Sequence, residues 1–190
     1  MNSTENLTGT GRSITPATQF VNLKGDYGTS DFIMWRGGRL PKITVAFESW
    51  GTLSINHDNV ILIFTGLSPS AHAASSELDP TPGWWEYMIG PGKPIDTNEF
   101  HVICVNSLGS CFGSTGPESI NPKTGKIYGL DFPDLTIEDI AKAGHHLLVE
   151  LGIDHLHTVI GPSMGGMVAL AYALQYPGEV DYLVSISAAT

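Results

Sequence analysis

The chain has 190 residues, of which 42% are hydrophobic and 15% are charged, so it can bury one core and is too apolar to be a disordered tail. Nine Lys and Arg residues stand against nineteen Asp and Glu residues, and the net charge of −10 disfavours binding to nucleic acid or to an anionic membrane. Residues 1–16 lack the apolar run of a secretory signal or a membrane span, so we expect a cytoplasmic protein that begins with a flexible arm.

Five short segments have the composition of β-strands. Residues 43–47 alternate with period two, which predicts a half-exposed strand in an antiparallel part of a sheet, near its edge. Four later segments are almost wholly apolar and rich in β-branched residues, as is typical of parallel strands that are covered on both faces. These four segments are residues 59–64, 101–106, 156–160 and 182–186.

Two helices are predicted between and after these strands. The first has apolar residues at three- and four-residue spacing, with Thr136 as N-cap, Asp139 near the capping-box position and Gly152 as the stop. Its solvated face is expected to carry Glu138, Lys142 and Glu150. The second helix, residues 164–176, is small and apolar on nearly every side, which predicts a buried helix. Strands and helices in this order predict an α/β fold with a mostly parallel sheet and helices on both faces.

Two long segments rich in Gly, Pro and Ser separate these elements, and long loops in a compact domain are usually functional. The aromatic cluster at residues 84–87 is expected to pack one of these loops onto the core rather than to recognise a ligand. Cys104 and Cys111 have no zinc-like spacing and are too few for a disulfide scaffold, so we expect buried, reduced thiols and no metal site.

The strongest chemical signal is the Gly-x-Ser-x-Gly pattern at residues 161–165, between a predicted strand and a predicted helix. This context is that of a nucleophile elbow, in which Ser163 would point from a strained turn into a cleft. A side chain at Gly161 or Gly165 would be expected to collide with the neighbouring strand or helix. The alternative is a serine that caps a helix after a glycine turn, and the flanking buried elements favour the nucleophile.

A nucleophilic serine of this kind needs backbone N–H groups that stabilise an oxyanion, and one of them comes from the loop after an earlier strand. The loop at residues 65–72 occupies that position, and we favour the Leu67 N–H as donor together with that of Met164, with Gly66 as the alternative by one residue. An ordinary Gly-Ser-Pro turn is the other interpretation. The predicted substrate-binding residues of the loop are Gly66, Ser68, Pro69, Ser70 and Ala71.

The sequence does not complete a catalytic triad in the order Ser, acid, His that this architecture uses. All seven histidines precede Ser163, and the only later acids, Glu179 and Asp181, fall at the start of a strand. We therefore expect residues 1–190 to be the N-terminal part of a single, longer domain whose acid, base and lid follow residue 190. His72 is the one histidine in the candidate loop, where it is a minor candidate for lining the pocket.

Several segments together resemble the homoserine O-acyltransferase family of α/β-hydrolase-fold enzymes, from about Leu40 to the last residue. The Gly-Leu-Ser-Pro-Ser-Ala-His segment at residues 66–72 is similar to the serine O-succinyltransferase branch. Homoserine acyltransferases more often have His-Ala-Leu-(Thr or Ser)-Gly in this loop. Residues 64–68 of this chain differ from that pattern. The match around this loop covers residues 65–74, and the other matching segments are residues 83–85, 90–93, 106–111, 113–117, 120–122 and 163–167.

The resemblance implies a ping-pong reaction in which Ser163 takes an acyl group from acyl-CoA and passes it to the hydroxyl of L-serine or L-homoserine, on the route to cysteine or methionine. Succinyl-CoA is the expected donor and acetyl-CoA the second choice, as co-substrates rather than bound cofactors. Lys93 is a candidate contact for the CoA phosphates, and a homodimer is expected of the complete protein. The alternatives are a serine esterase of the same fold, an inactive fragment and a non-catalytic binding module.

Overall fold

The computed structural model describes residues 14–26, 29 and 31–189, so most of the predicted arm, residues 1–13, lies outside the described residues. Thr15, from the end of that arm, donates a hydrogen bond to the Glu48 carboxylate. The strands and helices, in chain order, are β1 (Gln19–Asn22), β2 (Asp31–Ile33), β3 (Arg39–Pro41), β4 (Thr44–Trp50), β5 (Val60–Phe64), β6 (Ile89–Gly90), β7 (Ile95–Asp96), β8 (His101–Val105), β9 (Ile120–Asn121), β10 (Lys126–Ile127), α1 (Ile137–Glu150), β11 (Leu156–Pro162), α2 (Met164–Gln175) and β12 (Val180–Ile186).

The central sheet has six strands in the order β1-β4-β8-β5-β11-β12. Strands β8, β5, β11 and β12 pair in parallel, whereas β4 pairs antiparallel with both β1 and β8. Two clusters of buried side chains pack on the sheet, and the larger of them includes residues of α1 and α2. The predicted α/β fold with a mostly parallel sheet is confirmed, and the parallel strands bring the ends of β5 and β11 to one edge.

Strand β4 is more buried than its alternating sequence predicts. It lies between β1 and β8, and of its seven residues only Thr44 and Ser49 are partly exposed, whereas the other five are buried. The Ser114 hydroxyl accepts a hydrogen bond from the Ala46 N–H, so the loop after β8 lies against this strand. The prediction of a half-exposed strand is therefore wrong, although its antiparallel pairing is confirmed.

Strand β12 is less buried than its apolar sequence predicts. Tyr182 is 60% exposed, and Leu183, Val184 and Ile186 are between 37% and 39% exposed. Among the described residues β12 is one of the two edge strands of the sheet, with β11 as its one neighbour. The prediction of a strand covered on both faces is wrong because burial depends on what packs against a strand and not only on its own residues.

The helices follow their sequence signals closely, with two corrections. Thr136 and Asp139 form the predicted capping box, in which the Asp139 carboxylate accepts a hydrogen bond from the Thr136 N–H at 2.8 Å. Lys142, predicted to be solvated, instead forms an ion pair of 2.6 Å with Asp26. Helix α2 buries one face only, and Leu174 on the other face is 73% exposed, so burial on every side is also a wrong prediction.

The two cysteines differ in their surroundings. Cys104, on β8, is buried, and burial raises the pKa of its thiol. Cys111, in the loop after β8, is only partly buried, so the prediction of a buried thiol is wrong there because this loop lies at the rim of a cavity. In the described part of the chain, no helix is both long enough and apolar enough to span a bilayer.

Candidate active site

Ser163 occupies the sharp turn between β11 and α2. Its backbone has φ of +54° and ψ of −125°, a region that residues with a side chain rarely adopt. The Ser163 N–H donates to the Ile186 carbonyl of β12 at 2.8 Å, and its own carbonyl accepts from the Gly166 N–H at 2.9 Å. The side chain is exposed, and its hydroxyl has no hydrogen-bond partner among the residues that the structure describes.

The glycines around Ser163 are required by close backbone contacts. A Cβ atom at Gly161 would overlap the backbone of Gly165, in α2. A Cβ atom at Gly165 would overlap the carbonyl oxygen of Phe64, at the end of β5. The predicted collisions with the neighbouring helix and strand are thus confirmed, and they explain how α2 starts so close to the two central strands.

The loop after β5 lies beside this turn. A Cβ atom built on Gly66 would be 3.8 Å from the Ser163 Cβ and 3.6 Å from the Pro162 carbonyl oxygen. In the described part of the chain, the backbone N–H groups of Leu67 and Met164 have no hydrogen-bond partner. Both residues line the same cavity, so the structure brings the two predicted donor residues to one place.

The cavity has a volume of about 140 Å³ and lies between the loop after β5, the loop after β8 and the starts of α1 and α2. Of the predicted substrate-binding residues, Gly66 and Pro69 line it, whereas Ser68, Ser70 and Ala71 do not. Ala71 is fully buried. A larger and more open cavity of about 490 Å³ adjoins the first through Met164, and Trp35 and Arg36 stand on its wall.

Ser107 is a pocket residue that the sequence analysis did not single out. It directly follows Asn106 after β8, is 6% exposed, and lines the smaller cavity. Its hydroxyl is buried and has no hydrogen-bond partner among the described residues. Buried hydroxyl groups are normally paired, so an unpaired one at a cavity wall is a candidate contact for a ligand. Its position just after the end of a predicted parallel strand is the sequence feature that could have identified it.

Side chains from other parts of the chain hold the loop after β5 in place. The Asn106 side-chain carbonyl accepts a hydrogen bond from the Ala71 N–H at 2.6 Å. The Trp84 indole donates to the Ser70 carbonyl at 2.9 Å. The Trp84 ring also stacks on Trp85, which is buried, with the ring centroids 5.1 Å apart. The aromatic cluster therefore packs a loop onto the core, as its sequence predicts.

His72 ends this loop and does not line the cavity. Its Nδ1 lies 3.0 Å from a carboxylate oxygen of Glu48, and its Nε2 lies 2.9 Å from the Thr81 carbonyl oxygen. The two side chains are only 10% and 2% exposed. Burial lowers the pKa of His72, but its hydrogen bonds to Glu48 and Thr81 and the negative charges nearby raise it by more, so that the pKa lies above 6.5.

None of the seven histidines contacts the Ser163 hydroxyl in the described structure. Six of them have a polar partner of their own outside the candidate site, and His72 is held by Glu48 and Thr81. The partners of the six are Gly152 for His57, Gly51 for His101, Glu179 for His145, Asp26 for His146, Asp181 for His155 and Thr158 for His157. The geometry therefore agrees with the sequence order: no general base for Ser163 stands among the described residues.

Lys93, the candidate contact for phosphate groups, is already engaged. Its ammonium group donates to the Glu86 backbone carbonyl and lies 3.1 Å from the Glu86 carboxylate. A hydrogen bond from the Ser75 N–H, in addition to that from Lys93, lowers the pKa of Glu86 to about 2. Arg36, on the wall of the larger cavity, is an exposed cation with no ion pair among the described residues.

No three His, Cys, Asp or Glu side chains in the described ranges are grouped as metal ligands.

Comparison with known proteins finds relatives of the chain among curated proteins and among solved structures. The chain is 62% identical to the serine O-succinyltransferase of Litchfieldella anticariensis over 173 residues, which cover 91% of the chain and 46% of that protein. Among solved structures, a mutant form of esterase E22 matches with a TM-score of 0.81 and 43% identity, over 90% of this chain and 47% of that one. The homoserine O-acetyltransferase of Bacillus anthracis matches with a TM-score of 0.78 and 38% identity, over 87% and 45%.

These comparisons agree on the fold and on the extent of the match. The chain spans about half the length of the proteins that it resembles. A family model described as the alpha/beta hydrolase fold matches residues 59–190, which include both β5 and the turn at Ser163. With the strand order, the strained serine and the flanking glycines, this match establishes that the chain belongs to the alpha/beta hydrolase fold family.

Proposed function

We propose that the chain carries the nucleophile and the oxyanion donors of an O-acyltransferase that moves an acyl group from acyl-CoA to the hydroxyl of L-serine or L-homoserine. The observation that supports this most directly is the 62% identity to a serine O-succinyltransferase over a segment that includes both the Ser163 turn and the loop after β5. Succinyl-CoA and L-serine are the substrates favoured by that similarity. The reaction would belong to the biosynthesis of cysteine or methionine.

In the proposed reaction, the Ser163 hydroxyl attacks the thioester carbonyl of the donor, and the CoA thiolate leaves. The exposed side chain on a strained turn supports this role, because nothing in the described structure blocks or pairs the hydroxyl. The acyl-serine is then attacked by the hydroxyl of the amino acid, which restores Ser163. A covalent intermediate divides one difficult transfer into two easier steps.

The oxyanion that forms in each step would be bound by the N–H groups of Leu67 and Met164. Their freedom from other hydrogen bonds supports this assignment, because a donor that is already paired stabilises new charge poorly. Met164 is also the first residue of α2, where the helix dipole favours negative charge. Loss of one such donor typically lowers kcat by about 10²- to 10³-fold.

The proton of Ser163 needs an acceptor that the seven histidines do not supply, as described above. We therefore expect residues 1–190 alone to show negligible turnover. The acyl donor is an anion, and the chain has a net charge of −10, so its binding needs local cations. Arg36, at the cavity that adjoins Met164, suits this role better than Lys93, whose charge is already paired.

Hydrolysis is the second candidate function, and the similarity to esterase E22 favours it. An acyl-serine can be released by water or by an alcohol, and the outcome depends on whether the site excludes water and orients the acceptor. The fold and the nucleophile are common to both reactions. The products therefore have to be measured.

The test uses the protein expressed from its complete reading frame, mixed with succinyl-CoA in the presence and absence of L-serine. We expect intact mass to show one succinyl group on the enzyme without acceptor, and O-succinylserine to exceed free succinate when L-serine is added. Ser163→Ala should form no adduct, whereas Ser54→Ala, at a surface turn, should behave as the wild type. Free succinate as the main product in the presence of L-serine would establish the hydrolase instead.

A further inference from the structure

We propose that His72, held as an imidazolium between the Glu48 carboxylate and the Thr81 carbonyl, is a positioning residue that fixes the loop carrying the Leu67 N–H. This inference rests on the proposed function, because it concerns the donors that the reaction uses. We call the pair of His72 and Glu48 the buried ion pair. It lies outside the cavity and acts on the site only through the loop.

The charge of His72 follows from what its two ring nitrogens face. Nδ1 faces a carboxylate oxygen at 3.0 Å, and Nε2 faces a backbone carbonyl oxygen at 2.9 Å. Both of these oxygens accept hydrogen bonds, and a neutral imidazole has only one N–H to donate. Only the doubly protonated ring satisfies both contacts. The Thr81 hydroxyl, 3.2 Å from Nε2, donates to Asp79 and is therefore a weaker partner for the ring.

The ion pair is buried deeply enough for the loss of either partner to be costly. Glu48 lies on β4 with its side chain 2% exposed, and its second carboxylate oxygen accepts hydrogen bonds from Thr15 at 2.5 Å and Thr18 at 3.4 Å. A buried charge left without its partner strongly destabilises its surroundings. The chain around His72 is thus held in one position relative to the sheet.

The ion pair acts on the loop because His72 is covalently part of it. Its neighbour Ala71 is fixed by Asn106 at 2.6 Å, and the His72 carbonyl accepts a hydrogen bond from the Trp84 N–H at 3.4 Å. At the other end, Gly66 lies two residues after β5, beside Ser163. Only Leu67 to Ser70 lie between these fixed ends, so a shift of His72 is transmitted to the Leu67 N–H.

The other titratable groups near the ion pair define how it responds to pH. Asp79 adds negative charge on the side of Thr81, and Cys104 on β8 lies close to Glu48. Asp79 favours a protonated His72 by its charge. The raised pKa of Cys104 keeps it a neutral thiol, which adds no charge beside the ion pair. We therefore expect the loop to be held over the neutral pH range and to loosen as the pH rises and His72 loses its proton.

The experiment compares four forms of the protein expressed from its complete reading frame: wild type, His72→Gln, Glu48→Gln and His155→Gln. His155 is the matched control, because it also lies 3.0 Å from a carboxylate, that of Asp181, but both side chains are exposed. Acylation by succinyl-CoA and by p-nitrophenyl acetate is measured from pH 6 to 9. Two-dimensional NMR reports the His72 ring nitrogens and the Leu67 and Met164 amides.

We expect His72→Gln to lower kcat by about 10- to 10²-fold with little change in KM, the effect of a misplaced donor rather than of lost binding. Glu48→Gln, which keeps the shape, should move the alkaline limb of the rate profile to lower pH by about one unit or more. The Leu67 and Met164 amide signals should shift in both variants and remain in place in His155→Gln.

A neutral His72 ring in the wild type at pH 7 would overturn the proposal. So would a Glu48→Gln profile that coincides with that of the wild type, even if His72→Gln fails to fold. Failure of the proposed function is recognised separately: the wild type would then react with the ester and give no O-succinylserine, and the ester rates would still test the ion pair. If neither succinyl-CoA nor the ester reacts, the NMR spectra still test the proposal: Leu67 and Met164 amide signals that do not shift in Glu48→Gln would overturn it.

Discussion

The turn after β11 and the loop after β5 meet at the same site, yet they are held in different ways. The turn is fixed by its own backbone: Ser163 adopts a strained conformation, and Gly161 and Gly165 allow the chain to pass within contact distance of its neighbours. The loop is fixed by side chains from distant parts of the sequence, namely Asn106, Glu48 and Trp84. Substitutions should therefore damage the turn through sterics and the loop through lost hydrogen bonds.

The largest effect on stability is expected when a methyl group is added within the turn. Gly165→Ala would force the new Cβ against the carbonyl oxygen of Phe64, and we expect the free energy of unfolding to fall by about 4 kcal/mol, or folding to fail. The matched control is Gly66→Ala in the loop. Its Cβ would lie 3.6 Å from the nearest atom, the Pro162 carbonyl oxygen, so the free energy of unfolding should change by less than about 0.5 kcal/mol. Chemical denaturation measures both, and equal losses would contradict the distinction between the two segments.

The next effect concerns the hydrogen bond that fixes the loop. Asn106→Leu would leave the buried Ala71 N–H without an acceptor, at a cost of about 1–3 kcal/mol. We also expect kcat for acylation to fall by about tenfold, because the loop carries the Leu67 donor. Asn121→Ala, in the short hairpin of β9 and β10, is the control: it loses only an exposed hydrogen bond from the Lys123 N–H, so kcat should be unchanged and the loss of stability smaller than that of Asn106→Leu. A loss of stability with an unchanged kcat would show that the loop keeps its position without Asn106.

A smaller effect on thermal stability should depend on pH. The pKa of His72 is raised in the folded protein, so its ion pair contributes stability fully below the ordinary histidine pKa of about 6.5 and loses that contribution as the pH rises through the folded value. The difference in Tm between wild type and His72→Gln should therefore be largest near pH 6 and shrink towards pH 9. A difference that grows with pH would contradict this sign, and His155→Gln serves as the reference.

The smallest effect on stability is expected at the cavity wall. Ser107→Ala removes a buried hydroxyl that has no partner among the described residues, so the free energy of unfolding should change by less than about 0.5 kcal/mol. If the hydroxyl contacts the acyl group, the same variant should raise KM for the acyl donor. An unchanged KM for both succinyl-CoA and acetyl-CoA would remove Ser107 from the substrate site.

The sequence predicts the turn much better than the loop because the information for the turn is local. The local pattern is a serine between two glycines, after an apolar strand and before a small-residue helix. This pattern is sufficient to predict the close backbone contacts that the structure shows. The partners of the loop, Glu48 and Asn106, lie 24 and 35 residues away from their contacts, and no local pattern connects them. These contacts can be recognised only once β4, β5 and β8 are known to be neighbours in the sheet.

Burial shows the same limit of sequence reasoning. Strands β5 and β12 have similar apolar sequences, and yet every residue of β5 is buried while most of β12 is exposed. The difference lies in their neighbours, since β5 stands between β8 and β11 and β12 has β11 alone in the described sheet. Lys142 is a similar case, because its ion pair with Asp26 depends on a segment more than a hundred residues away.

The hydrogen bond from the Ser163 N–H to the Ile186 carbonyl places one anchor of the nucleophile on β12, the strand that pairs with β11. A hydrogen-bonded backbone N–H exchanges with solvent when its hydrogen bond opens, so its exchange rate reports local opening. Each transient opening of β12 would release the backbone of Ser163 and let its strained dihedral angles relax. The lifetime of the reactive shape is therefore linked to the pairing of β12 with β11, and the hydrogen-exchange rate of the Ser163 amide would record it.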